Sequence, residues 1–287
     1  MDTRDTPEQA ELRRTARRLA RELGPRRVAD LDDQERRERL AEAVRGAGWL
    51  DLRHGTNDGD PLAGGVEAAI IADALGESVA DVPFAGPILA ADLARRVGVR
   101  PSDGADLTRS VRSLPAGVPV VRVADQRRPL TRGDLDAWTT LGLALTSADL
   151  VGVMRGVLDV SVAYARERKQ YGVAIGTFQA VQHLLAEARC LIEGAFSAAL
   201  YPAWAVDELT PDEARAAGRV AKAYCARAAR TVCETAVQVH GGIGNTWDCI
   251  VHVHLRRALL SSRWFGDDGE QLRQLEQTRL GVTHGLS

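Results

Sequence analysis

The sequence predicts a mainly α protein, with an N-terminal helical domain over residues 1–100, a reduced β region over 101–140 and a C-terminal antiparallel helical bundle over 141–287. Three observations carry this reading. Thr6-Pro7-Glu8-Gln9 and Thr210-Pro211-Asp212-Glu213 are both complete helix starts, with a capping hydroxyl, proline in the first turn and a Glu or Gln able to return the hydrogen bond. Apolar residues recur at helical spacing through most of the second half. Between the two ends, Pro115, Pro119 and Pro129 interrupt a stretch in which that spacing is lost.

The helix opened by Thr6 ends near Gly24-Pro25. A second covers Gln34 to Arg45 and is closed by Ala47-Gly48-Trp49-Leu50. A third follows the polar loop from His54 to Asp60, carries Val66, Ile70 and Ala74 on one face and stops at Gly76; a fourth runs from Phe84 to Val97. From Pro101 to Thr140 the clearest strand is Pro119 to Ala124. These forty or so residues can form at most a two- or three-stranded sheet, which needs packing against something else to be stable.

From Leu141 the pattern is helical again. Leu150, Met154, Val157, Leu158, Ser161 and Ala165 trace one buried face, and Val181, Leu184, Leu185, Ala188, Ile192, Ala195 and Ala199 the next. The helix opened at Thr210 presents Ala214, Ala217, Ala221, Tyr224, Ala228 and Val232 and reaches the turn at Gly241-Gly242. Two more are expected over Trp247 to Trp264 and Gly269 to Leu280. Small residues on these faces allow close approach, as in an antiparallel bundle.

Composition narrows the function. A net charge of -2, with 45% hydrophobic and 26% charged residues, gives neither the basic excess of a nucleic-acid binder nor a disordered chain. Lysine occurs only at Lys169 and Lys222, an arginine bias that reads as the coding bias of a GC-rich bacterial genome. No unbroken apolar run approaches the roughly 20 residues of a membrane span, and Met1 to Arg14 is too charged for a secretory signal, so the expected location is cytoplasmic with no membrane association. Cys190, Cys225, Cys233 and Cys249 lack metal or disulfide spacing and are expected to be buried thiols. His252 and His254, two apart on a helix, point to different faces, so no metal site is expected.

The chemistry is concentrated in two segments. Arg168-Lys-Gln-Tyr-Gly172 runs on to Phe178-Gln179, and Gln238-Val-His-Gly-Gly-Ile-Gly244 follows some sixty residues later. A guanidinium fork at a helix end suits a diphosphate, and Gly241, Gly242 and Gly244 let a ligand approach the main chain. By itself either segment is also what a charged helix end or a glycine-rich helix turn would show. As an ordered pair they resemble the acyl-CoA dehydrogenase family, loosely over Glu8 to Arg96 and well over Ala144 to Leu280; Asn245 departs from the aromatic residue common there. The resemblance implies that Arg168, Gln170, Tyr171, Gln179, Gln238, Gly241 and Gly242 meet the ADP half of an FAD seated mainly in a neighbouring subunit.

The same resemblance implies a glutamate that takes the α-proton of an acyl thioester while the flavin accepts the hydride. The family supplies it from one of two slots, which match Phe265 and Gly142 here, so no catalytic residue is assigned. Asp149, Asp248 and Asp267 are the acids nearby; Asp248 reads as a first-turn acid and Asp267 and Asp268 as caps. With a β region too short to hold the flavin ring, the chain reads as the base-lacking subunit of a heteromeric FAD-dependent acyl-CoA dehydrogenase. Its expected partners are a full-length dehydrogenase-like subunit, or further copies of itself, and an acyl-CoA or other acyl thioester. The alternatives are a flavin-free interaction protein or pseudoenzyme, and a non-redox biosynthetic enzyme on the same fold.

Overall fold

The computed structural model describes residues 4–56, 59–98, 111–113, 119–123, 126–129 and 131–280. Four helices open the chain: α1 (Pro7–Leu23), α2 (Gln34–Gly46), α3 (Gly65–Glu77) and α4 (Ala85–Arg96). The first is capped as its sequence requires, with Thr6 accepting from the Gln9 N–H and the Gln9 side chain accepting from the Thr6 N–H. Three short strands follow, β1 (Val111–Ser113), β2 (Pro119–Val123) and β3 (Gln126–Pro129), forming an antiparallel meander in which Val121 lies opposite Val111 on one side and Arg128 on the other. Pro101, Pro115 and Ala124, used in the sequence reading, lie outside the described residues.

The next helix, α5 (Arg132–Glu167), starts nine residues ahead of the Leu141 at which the periodicity first becomes regular. Thr131 caps it, accepting from the Asp134 N–H at 3.0 Å, and Trp138 anchors this added length by donating its indole N–H to the Leu89 carbonyl at 2.9 Å. The early turns mix charged and apolar residues, with Asp136 paired to Arg215 and Trp138 turned to the N-terminal helices, which is why no helical stripe was visible there. At 36 residues and about 54 Å, α5 runs through both cores of the molecule. Its first half packs with α1, α3 and α4 through Trp138, Leu141 and Leu145. Its second half packs through Leu150, Met154 and Val157 with α6 (Gln179–Glu208), α7 (Pro211–His240) and α8 (Val251–Arg263). By length and composition α5 alone among the described helices is apolar enough to cross a membrane, yet nearly all of its apolar window is buried inside the protein.

Backbone approaches backbone where α3 crosses α5. A methyl group added at Gly152 would stand 1.9 Å from the Asp73 carbonyl oxygen, and one at Gly156 would stand 1.9 Å from that of Glu77. Ion pairs flank this crossing: Asp73 is held by Arg13 and Arg155, and Glu77 by Arg17 and Arg21.

Elsewhere the helical faces are as the spacing predicts, with local exceptions. Tyr224 is 40% exposed, its phenol lying over Gly194 at the rim between α6 and α7. Of the four free thiols, Cys190 is exposed on α6 while Cys225, Cys233 and Cys249 are buried. The last helix, α9 (Asp268–Leu280), is capped by Asp267, whose Oδ1 accepts from the Glu270 N–H at 2.9 Å. The segment before α8 is a turn rather than helix, closed by Cys249 N–H to Thr246 O at 3.2 Å. Trp247 folds back from it so that Arg256 lies 4.8 Å over its ring.

Within α8 the two histidines do face apart. His252 meets the Trp247 ring edge-on, whereas His254 is buried against α5, its Nδ1 facing the Ile250 carbonyl at 3.2 Å. Burial pushes the His254 imidazole down to about 4, below the ordinary value of about 6.5 that it regains on unfolding. The unfolded chain therefore binds the extra proton across that window. Stability present above the higher value is lost as pH falls toward the lower, by about 3 kcal/mol. Urea unfolding at a series of pH values checks this: His254→Asn should show a shallower acid loss than wild type, and an unchanged slope would refute it.

Candidate functional site

The Arg168 segment is built on the end of α5. Arg168 is the residue that stops the helix; its N–H donates to the Tyr164 carbonyl at 2.8 Å and its carbonyl accepts from the Ile175 N–H at 2.8 Å. Between these anchors the chain makes a two-residue hairpin, β4 (Lys169–Gln170) against β5 (Val173–Ala174), turning at Tyr171 and Gly172. Both turn residues have positive φ, 53° and 83°, the backbone a type I′ hairpin needs. Glycine adopts this freely, whereas tyrosine does so at a cost. The Tyr171 ring is 95% exposed at the tip and meets Phe178 edge-on at a centroid distance of 6.4 Å.

The glycine segment is built on the end of α7. Gly241 leaves the helix at φ 65° and ψ -144°, a conformation essentially reserved for glycine. A methyl group added at Gly241 or Gly242 would meet nothing within 4 Å, so open space lies above the main chain here.

These helix ends meet. Arg168, Gln170, Gln238, Gly241 and Gly242 line one pocket of about 420 Å3. Tyr171 stands outside it at the hairpin tip, and Gln179, the first residue of α6, is exposed and does not line it. The Arg168 side chain has no ion-pair or hydrogen-bond partner among the described residues, leaving its fork free. Two residues that the sequence reading passed over form the floor: Tyr164 and His240 stack at a centroid distance of 4.2 Å and an angle of 20°. His240 Nδ1 faces the Ala236 carbonyl at 2.9 Å, and burial lowers its pKa, so the ring is neutral at physiological pH. Their signal was positional: Tyr164 lies one turn before Arg168, and His240 directly precedes Gly241.

A second feature lies at the other end of α5. Phe265 and Gly142, separate in sequence, are in contact: a methyl group at Gly142 would stand 2.2 Å from the Phe265 ring. Trp138 meets the same ring edge-on at 5.4 Å. The turn carrying Phe265 is left-handed, with φ 60° at Phe265 and 89° at Gly266, and is held by the buried Gln271 side chain, which donates to the Phe265 carbonyl at 2.6 Å. Both positions are therefore occupied by hydrocarbon packed against hydrocarbon.

Beside this turn opens a hollow of about 730 Å3, bounded by the start of α4, the middle of α5 and the exposed side of α8. Leu75, Phe84, Leu145, Leu260 and Trp264 make most of its wall apolar. Asp149 lies on that wall, bonded to Arg257 and to Ser261. Asp248 lines neither this hollow nor the motif pocket; it sits in the turn before α8, one turn earlier than a first-turn acid would, because Thr246 to Ile250 is not helical. Among the described residues no group of His, Cys, Asp and Glu is arranged to hold a metal ion.

Comparison with known proteins bears on both sites. Residues 141–279 match the acyl-CoA dehydrogenase C-terminal domain. Acyl-CoA dehydrogenase FadE34 of Mycobacterium tuberculosis is 35% identical over 179 residues, which is 61% of this chain and 25% of that protein. Acyl-CoA dehydrogenase IpdE2 of Mycolicibacterium smegmatis is 32% identical over 177 residues, 62% of this chain and 51% of that protein. The aligned regions thus span a quarter and half of these relatives' lengths. Among solved structures, the Tcur3481-Tcur3483 steroid ACAD superposes with a TM-score of 0.82 at 20% identity, covering 96% of this chain and 98% of its own. The ChsE4-ChsE5 complex from Mycobacterium tuberculosis gives 0.79 at 20% identity, covering 99% and 100%. At that identity the likeness establishes the helical fold, which here extends over nearly the whole chain. Residues 141–279 thus form an acyl-CoA dehydrogenase C-terminal domain, carried on a chain whose helical fold is that of these solved structures.

Proposed function

We propose that this chain is the half-site subunit of a heteromeric FAD-dependent acyl-CoA dehydrogenase, lending contacts to the ADP half of its partner's flavin while the partner supplies the catalytic glutamate. The observation that carries this reading is the Phe265 ring seated on Gly142. Dehydrogenation needs a carboxylate at the flavin face; position 265 carries a phenyl ring instead, and a glutamate at 142 would have to displace that ring, which packs on Trp138 from a turn pinned by Gln271.

The motif pocket supports the rest. FAD, when bound, would supply hydride acceptance; what this chain supplies is recognition. The free Arg168 fork, with Lys169 beside it, would pair with the diphosphate. Gln170 and Gln238 would exchange hydrogen bonds with polar edges of the dinucleotide, and the bare main chain at Gly241 and Gly242 leaves room for it. Tyr171, projecting from a strained turn with almost nothing of its own chain to rest on, would insert into the partner, and Gln179 would lie at the same interface. The Tcur3481-Tcur3483 and ChsE4-ChsE5 structures, each named for two components, fit a two-chain assembly. The apolar hollow suits the acyl part of a thioester.

The test is co-expression with a full-length acyl-CoA dehydrogenase-like partner, purification on a tag carried only by this chain, and a visible absorption scan. The expected result is a yellow complex with about one FAD per pair and a colourless chain when expressed alone. A yellow homomer would show that the chain holds flavin without such a partner, and a colourless preparation with no partner retained would favour a flavin-free role; either refutes the proposal.

A further inference from the structure

The wall of the apolar hollow carries a hydrogen-bonded cluster of polar side chains on facing turns of α5 and α8; Asp81, paired with Arg36, and Arg256, over the Trp247 ring, also line it. Arg257 donates through Nε and Nη2 to Asp149 Oδ1, at 3.0 and 2.6 Å, and through Nη1 to the Ala80 carbonyl at 2.6 Å. Ser261 Oγ donates to Asp149 Oδ2 at 2.6 Å. Behind them Lys222 is fully buried on α7 and donates to the Ser261 carbonyl. Nearby, Thr146 turns its hydroxyl hydrogen inward to the Gly142 carbonyl at 2.8 Å.

The remaining capacity of these groups can be counted. A carboxylate oxygen accepts two hydrogen bonds and a serine hydroxyl two as well as donating one. Asp149 Oδ2 has a free acceptor position and Ser261 Oγ has both of its own, so the cluster turns acceptors toward the hollow. The charge of Asp149 is already met, since Arg257 and Lys222 flank it, and that of Asp81 is met by Arg36; a cationic ligand group has nothing to neutralise. An all-hydrocarbon ligand would strip water from this acceptor pair without replacing its hydrogen bonds, which is costly. The group that fits is neutral and able to donate: a hydroxyl. Asp149 lies seven residues beyond Gly142 on the same face of α5, about 10 Å along the axis from the Phe265 turn beside the hollow, a span that a ten-carbon chain covers.

We infer that the hollow selects an acyl thioester whose chain carries a hydroxyl at its far end, read by Asp149 and Ser261. This rests on the acyl-thioester reading of the hollow given above and names the substrate class for it.

Isothermal titration of the purified chain with ω-hydroxydecanoyl-CoA and with decanoyl-CoA tests it, since the two differ only by the terminal hydroxyl. The expected result is about tenfold tighter binding of the hydroxylated thioester, the scale of one hydrogen bond to a charged acceptor. Asp149→Asn should abolish that preference. Because it also breaks the Arg257 pair, Ser261→Ala, which leaves the ion pair intact, provides the second variant and should cut the preference to about threefold or less. Equal binding of the two thioesters, or tighter binding of decanoyl-CoA, would overturn this inference while leaving the hollow an acyl site. Binding of neither would overturn the acyl-thioester reading and the inference with it.

Discussion

Arg168→Ala is expected to weaken FAD retention by the assembled complex by about 10- to 100-fold while leaving the fold of this chain unchanged. The magnitude is that of one or two hydrogen bonds between a charged donor and a charged acceptor. The fold should be indifferent because Arg168 holds its place through its backbone, with N–H and carbonyl both engaged, and its exposed side chain has no partner among the described residues. Flavin titration of the apo complex gives the affinity, and a far-UV melt of the variant gives the control. Arg168→Lys should recover only part of the loss, since an ammonium keeps the charge and loses the planar fork. Equal flavin affinity in wild type and Arg168→Ala would remove the pocket from the cofactor's path. A fall in melting temperature matching the fall in affinity would instead mark Arg168 as structural.

Gly152→Ala should cost about 3 kcal/mol or more of stability, at the upper end of what overpacking a core produces. The added methyl group would stand 1.9 Å from the Asp73 carbonyl oxygen and 2.7 Å from the Glu77 nitrogen. Both are main-chain atoms of α3, so no side chain can swing aside, and relief requires α3 and α5 to separate. That separation would also loosen the ion pairs joining Asp73 to Arg155 and Glu77 to Arg17. Gly46→Ala is the control: a methyl group there meets nothing within 4 Å, and the substitution should leave stability equal to wild type or slightly higher. Urea denaturation of the two variants decides it, and equal midpoints would show that the crossing of α3 and α5 is not as tight as its geometry implies.

Much of the helical framework was legible because its signals are local. A capping box such as Thr210 with Glu213, or a proline in a first turn, acts within four residues, so the chain declares it regardless of what packs nearby. The boundaries that were missed depend on distant partners. The first nine residues of α5 are helical because Trp138 reaches Leu89 and Thr131 caps the end, and no stripe announces either. Trp247 looked like the start of α8 because it is apolar and close to the helix, yet it lies back over Arg256 and leaves Thr246 to Ile250 as a turn.

The sequence by itself determined the helical architecture, the two motif segments and the absence of an acid at Phe265 and Gly142, since these rest on residue identity and near-neighbour spacing. Only the tertiary structure decided that Arg168, Gln170 and the glycine segment share one pocket floored by Tyr164 and His240, that Tyr171 and Gln179 stand outside it, and that Phe265 closes on Gly142. It alone brought Asp149 and Ser261 together, across 112 positions of sequence, on the wall of the hollow. The reason is physical: a cap or a helical stripe is fixed by bonds within a turn or two. A pocket is fixed by which helix ends the packing of α5, α7 and α8 sets side by side.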